Sequence, residues 1–187
     1  MAKYKEVEIK VTRKAEVYDY NLLISYDFMM RFGLARRELI NFLGSLGDET
    51  PIVNKTLARG ILGLKTSLDN RLVVKEARKK YKEDPGAFRA VIKFVPIDNW
   101  TDSTLEAMKK EVDRFKITEK EKWRMTVEKR RYEKYHTDEI IEALAKNVKG
   151  KVDLEDPDKI IRVEILGPRA GISLLSPDEV FSTRELA

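Results

Sequence analysis

The sequence predicts an α+β chain of two units, each a small sheet covered by helices. Up to Pro96, short apolar segments and amphipathic ones follow in the order β-α-β-β-α-β, the split βαβ or ferredoxin-like pattern. A second set of elements follows in a different order. Between them stands Ile97-Asp98-Asn99-Trp100, which reads as a tight connection. The division is therefore placed at residues 1–97, a ferredoxin-like domain, and 98–187, a second α/β domain.

A charged leader occupies residues 1 to about 18. Tyr20 to Tyr26 then reads as a buried strand. Arg31 to Leu46 is helical, because Leu34, Leu39, Phe42, Leu43 and Leu46 cluster on one side and Gly47 supplies the stop. Short strands follow at Thr50–Asn54 and Gly60–Ser67. Asp69 to Lys82 is a helix with Leu72, Val73, Ala77 and Tyr81 inward, ended near Pro85-Gly86. Phe88 to Pro96 is a strongly apolar strand.

In the second unit Ser103 and Glu106 have capping-box spacing. Leu105, Met108, Val112 and Phe115 then form one helical stripe. Lys122 to Arg131 alternates apolar and polar residues, which predicts a strand with Trp123, Met125 and Val127 inward and Arg124, Thr126, Glu128 and Arg130 toward solvent. Thr137 is placed as the N-cap of a helix with Ile140, Ile141, Leu144 and Val148 inside, ended by Gly150. Lys159–Leu166 and Ile172–Leu175 are strands joined through Gly167-Pro168-Arg169-Ala170-Gly171. The tail from Pro177 is left unassigned.

Hydrophobic residues make up 42 % of the 187, enough for packed cores. Charged residues reach 37 %, against ~25 % in ordinary globular proteins. Such dense mixed charge is the pattern of thermophile surface ion-pair networks. With no cysteine, disulfides, thiolate zinc sites and thiol catalysis are excluded, and a single histidine argues against a histidine metal site. No apolar run approaches a membrane span, and the N-terminus lacks a signal-peptide core, so a cytoplasmic protein is expected.

The net charge is +5, and its placement matters more than its size. From Arg114 to Lys134, nine basic residues stand against four acidic ones, an excess equal to that of the whole chain. The run ends in a basic knot of Lys129, Arg130, Arg131 and Lys134, with His136 just beyond. A localised basic stripe is the electrostatic footprint of a nucleic-acid binder. A solvated charged face is the plainer alternative.

Phe94-Val95-Pro96-Ile97, Lys122-Trp123-Arg124, Arg130-Arg131 and the helix start His136-Thr137-Asp138-Glu139-Ile140-Ile141 are followed by Val152-Asp153-Leu154-Glu155-Asp156-Pro157-Asp158 leading into Ile161-Arg162-Val163-Glu164-Ile165. In these motifs the second half resembles a THUMP domain, an RNA-binding module of tRNA-modifying proteins. The first half looks like the ferredoxin-like domain that commonly precedes THUMP, and the likeness covers about residues 20 to 176. More narrowly, the chain is similar to stand-alone THUMP proteins that assist tRNA N4-acetylcytidine formation. That resemblance implies a non-catalytic tRNA-binding adaptor whose partners are tRNA and an RNA cytidine acetyltransferase, with no cofactor and no metal of its own. The alternatives are an RNA-binding subunit of another tRNA-modifying enzyme, a methyltransferase or sulfurtransferase, and a small enzyme in its own right.

On this reading the RNA-facing residues are Arg124, Lys129, Arg130, Arg131, Lys134 and His136, with Arg169 in the glycine-flanked turn. Lys55, Arg59 and Lys65 extend the surface into the first domain. Their work is electrostatic: each phosphate neutralised releases counterions. Tyr132 and Tyr135 flank the knot and are candidates for base stacking, whereas Trp123 is expected in the core and Trp100 in the joint between domains. Arg59-Gly60-Ile61-Leu62-Gly63 shares glycine spacing with phosphate-binding turns, but its apolar interior reads as a strand start. Asp153, Glu155, Asp156 and Asp158 surround Pro157 and read as a solvated turn, since no glycine or bidentate glutamate stands where a calcium loop needs it.

Overall fold

A computed structural model of the protein describes residues 18–185, so nearly all of the charged leader lies outside the described residues. The first sheet contains β1 (Leu22–Tyr26), β2 (Ile52–Lys55), β3 (Ile61–Lys65) and β4 (Val91–Pro96) in the antiparallel order β4-β1-β3-β2. Its helices are α1 (Phe32–Ser45) and α2 (Asn70–Glu83). This is the order expected of a split βαβ unit. Leu22 and Ile24 of β1 and Phe94 of β4 pack against Leu39, Phe42 and Leu43 of α1 and Val73, Val74 and Ala77 of α2. Asp69 caps α2, accepting a hydrogen bond from the Leu72 backbone N–H at 2.8 Å. Leu72 itself is exposed, and Val74 takes the inward place expected for it.

The second sheet runs β5-β9-β8-β6-β7: β5 (Asn99–Asp102), β6 (Lys122–Arg130), β7 (Lys151–Val152), β8 (Lys159–Leu166) and β9 (Arg169–Leu175). β6 lies parallel to β8 through eight paired residues, and α4 (Thr137–Ala145) makes the crossover such a pair requires. Trp123 and Met125 of β6 and Ile161, Val163 and Ile165 of β8 pack under α4 and α3 (Leu105–Val112). Both caps differ from expectation by one residue. Thr104, not Ser103, accepts from the Ala107 N–H, because the Ser103 hydroxyl is turned away to donate to the Gly167 carbonyl. His136, not Thr137, occupies the N-cap position of α4, and the Glu139 carboxylate accepts its backbone N–H.

Two connecting stretches carry strands of their own. Within the tight connection Ile97–Trp100, β5 begins at Asn99 and pairs with β9. The tail from Pro177 crosses back, and β10 (Phe181–Ser182) adds to the outer edge of β4 in the first sheet. Residues 181–182 therefore belong with the first unit, on the other side of the 97/98 division. Phe181 packs against the Phe94 ring at 5.9 Å.

The sheet faces not covered by helices meet in a third cluster: Leu23, Ile61 and Val95 from the first unit, Leu166 from the second, and Ile97 between them. Trp100 fills the joint as expected, and its indole N–H donates to the Tyr20 carbonyl at 2.8 Å. Arg71 ties the units further through Asp98, Glu179 and the Leu174 carbonyl.

Gly150 ends no helix; α4 stops at Ala145. Gly150 instead has φ of +85°, and a Cβ there would stand 2.4 Å from the Glu121 carbonyl oxygen and 2.8 Å from that of Thr118. Neither atom can swing away, since both are backbone. Gly150→Ala is expected to cost about 2 kcal/mol or more, read as a lowered Tm.

Candidate nucleic-acid interface

β6 carries most of the expected site, but its outward face is not bare. Arg124, Thr126, Glu128 and Arg130 are all half-buried, because the first unit lies over that side of the second sheet. Arg124, near the start of β6, donates to the Leu154 carbonyl at 3.0 Å. Eight residues of parallel register carry the strand to Arg130, opposite Leu166. There three segments converge. The Gly167 N–H donates to the Arg130 carbonyl at 2.9 Å, and Gly167 packs beside Leu57.

At this end lies a cleft of about 480 Å³ between the two sheets. Five cations line it, Arg59, Lys93, Arg130, Arg162 and Arg184, against Asp27 and Glu128. Beneath them sits Glu164, only 1 % exposed. Its two carboxylate oxygens accept from Arg130 Nη1 at 2.5 Å and Arg162 Nε at 2.7 Å. Arg162 is 7 % exposed, so its guanidinium is held in place by packing as well as by charge. Lys93 projects from β4 on the Val95 side. Burial and then the charge of Arg162 push its ammonium below the ordinary lysine value. One buried carboxylate serves two guanidiniums with a third cation close by. Such a site favours an incoming anion.

The other expected residues fall in separate places. Lys129 donates to the Tyr135 carbonyl at 2.7 Å, closing the loop between β6 and α4. Arg131 is exposed with φ of 56°, a left-handed conformation uncommon for a residue with a Cβ. Lys134 is exposed over the Tyr135 ring, and His136 is exposed at the helix start. None of these three lines the cleft. Arg169 pairs with Asp102 at 2.6 Å. In the first unit Arg59 reaches the cleft. Lys55 instead lies over Phe32, and Lys65, at the opposite end of β3, pairs with Asp19. Arg130 is thus ion-paired, yet on an open positive surface. Tyr132 donates to the Ser103 carbonyl and packs on the core, which commits it to structure.

Sequence reasoning missed Lys93, Arg162 and Arg184. Lys93 and Arg162 interrupt apolar strands at alternate positions, and that alternation was the available signal. Asp153, Glu155, Asp156 and Asp158 do form a turn. Asp153 accepts the N–H groups of Glu155 and Asp156, and Lys122 bridges Asp153 and Asp156. The Asp156 N–H and Lys122 hold the Asp153 carboxyl below its ordinary range. Among the described residues no group of His, Asp and Glu is placed to hold a metal ion, and no helix is long and apolar enough to cross a membrane. A larger groove, about 720 Å³, lies at the C-terminal ends of α3 and α4 between Val112, Phe115, Ile117 and Val148. Its lining also carries Lys116, Lys120 and Lys149 against Asp113 and Glu119, a smaller excess of cations than in the cleft, so the cationic cleft is the better candidate.

No curated protein matches the chain. Solved structures similar to it include PH1313 from Pyrococcus horikoshii, at 16 % identity and TM-score 0.52, covering 83 % of this chain and 54 % of that one. TrmN from Thermus thermophilus is similar at 16 % identity and TM-score 0.53, covering 82 % and 44 %. At that identity the likeness is one of fold, and the chain spans about half the length of those proteins. Residues 101–175 match the family model of the THUMP domain. The matched residues carry α3, α4, β6 to β9 and the Arg130 and Arg162 side of the cleft, so this segment is similar to a THUMP domain.

Proposed function

We propose that the protein binds tRNA and presents it to a separate modifying enzyme, an RNA cytidine acetyltransferase forming N4-acetylcytidine. The observation that carries the RNA reading is the cleft, where cations from both units face one opening. Sugar-phosphate is the polymer whose repeating charge matches such a lining, and the exposed side chains of Arg131, Lys134 and His136 are open to further phosphate contacts. The adaptor role rests on the resemblance to stand-alone THUMP proteins.

Titration of labelled tRNA between 50 and 200 mM salt tests the RNA reading. Neutralisation of about four phosphates makes affinity fall roughly 100-fold over that range. A salt response no steeper than that of a protein of matched net charge would reject it. The adaptor role is tested by incubating the purified chain with tRNA and acetyl-CoA, alone and with the acetyltransferase. Acetylcytidine is expected only with both proteins. Turnover by the chain alone makes it an enzyme, and capture of a methyltransferase or sulfurtransferase from native extract reassigns the catalytic partner.

A further inference from the structure

The groove beside α3 and α4 joins an apolar floor to a cationic rim. Val112 and Ile117 are buried in it, and Phe115 and Val148 are half-buried. Lys116, Lys120 and Lys149 stand exposed around them, and among the described residues none of the three is in an ion pair. Asp113 does not answer them, because its carboxylate accepts from Lys109 Nζ at 2.8 Å and from Asn147 at 3.3 Å. Of the acids in the lining, that leaves Glu119 against three lysines. The turn that follows has the opposite character. It is rooted where the Lys151 N–H donates to the Glu121 carbonyl at 3.1 Å. Val152 is 53 % exposed and Leu154 68 %, with Asp153, Glu155, Asp156 and Asp158 around them. Its backbone is held, since Arg124 donates to the Leu154 carbonyl and the Asp158 carboxylate accepts the Lys122 N–H at 2.7 Å. Leu154 joins none of the apolar clusters and does not line the groove of its own chain.

We infer that these are the two halves of a two-fold interface: Leu154 and its flanking carboxylates seat in the groove of a second copy of this chain, among Lys116, Lys120 and Lys149, and the reciprocal contact forms with them. Charge complementarity selects the occupant, an apolar anchor flanked by acids for an apolar floor flanked by lysines. Groove and turn lie side by side, because Lys149 and Lys151 flank Gly150, so one axis brings each to its counterpart. An unrelated acidic segment would cover the groove and leave Val152 and Leu154 in water, whereas a second copy covers both. The held turn also loses little freedom on docking. This interface lies at the Lys122 end of β6 and the cationic cleft at the Arg130 end, so both clefts stay open and the dimer does not depend on the RNA reading.

Sedimentation equilibrium of the full chain is expected to show a dimer with a dissociation constant of roughly 10 μM, weakening as salt screens the attraction between lysines and carboxylates. Leu154→Ala, at an exposed site outside the core, removes apolar burial from both contacts at once and weakens the dimer about 100-fold. Lys120→Glu and Glu155→Lys, also at exposed positions, are each monomeric alone, because like charges then meet. Mixed in equal amounts the two variants associate as the wild type does: the reversed pair and the original pair are both opposite in sign. Mixing would not rescue variants that had merely lost their fold. A wild type that stays monomeric at about 100 μM overturns the second copy as occupant of the groove. So does a dimer indifferent to Leu154→Ala and Lys120→Glu, and so does a mixture that stays monomeric.

Discussion

Glu164→Leu is expected to destabilise the folded protein by about 3–5 kcal/mol, the largest loss from any single side chain of the cleft. The cause is charge left behind. The Glu164 carboxylate accepts from Arg130 and from Arg162, and Lys93 shares the same space. Leucine fills similar volume but leaves three cations facing one another, with half-exposed Glu128, 3.9 Å from Arg162, too solvated to replace the buried carboxylate. At ~2–4 °C per kcal/mol for a chain of this size, the Tm falls by roughly 10 °C. The same substitution strengthens RNA binding, because an incoming phosphate then supplies the missing counter-charge. Thermal melts with and without tRNA read both effects: the variant starts lower and gains more on adding RNA. An unchanged melting curve would mean that the guanidiniums are well solvated and that the cleft stores no electrostatic cost.

Much of the fold could be read from side-chain period alone. The alternation in β6 placed Trp123 and Met125 in the core, and the apolar stripes of α1 and α2 gave the split βαβ order. What period cannot give is the fate of a sheet's second face. Arg162 and Glu164 alternate with Ile161, Val163 and Ile165, as residues pointing to water do, yet both are buried. Their burial depends on the first unit lying across them, a contact between residues some 70 to 140 apart in sequence. Lys93 was hidden for the same reason, inside a strand whose apolar neighbours dominate the pattern. The tail was unreadable because a two-residue strand carries no period; β10 exists only through its pairing with Phe94 and Lys93. Arg130 was found because a cluster of charge is visible locally, whereas its partner Glu164 stands 34 residues away.

Lys93→Met should move the protein in the opposite direction, making the fold more stable and RNA binding weaker. Burial, and then the charge of Arg162, lower the Lys93 value below 10.5, with Glu164, Glu185 and Glu128 only partly offsetting this. The sign follows from linkage. The unfolded chain holds this proton more firmly than the folded one, so keeping Lys93 charged costs stability at every pH below its folded value. That cost fades as pH rises from there to 10.5. Methionine keeps the aliphatic stem and removes the cost, so Tm rises at neutral pH and the gain over wild type shrinks under alkaline conditions. For RNA, loss of one charge-assisted contact in a half-buried site weakens binding about tenfold and lowers the salt slope by about one. A lysine that serves only the fold would not produce this pairing of a more stable protein with a poorer RNA complex. A variant that melts higher and binds tRNA as wild type would place the phosphate outside the cleft, at exposed residues such as Arg131 and Lys134.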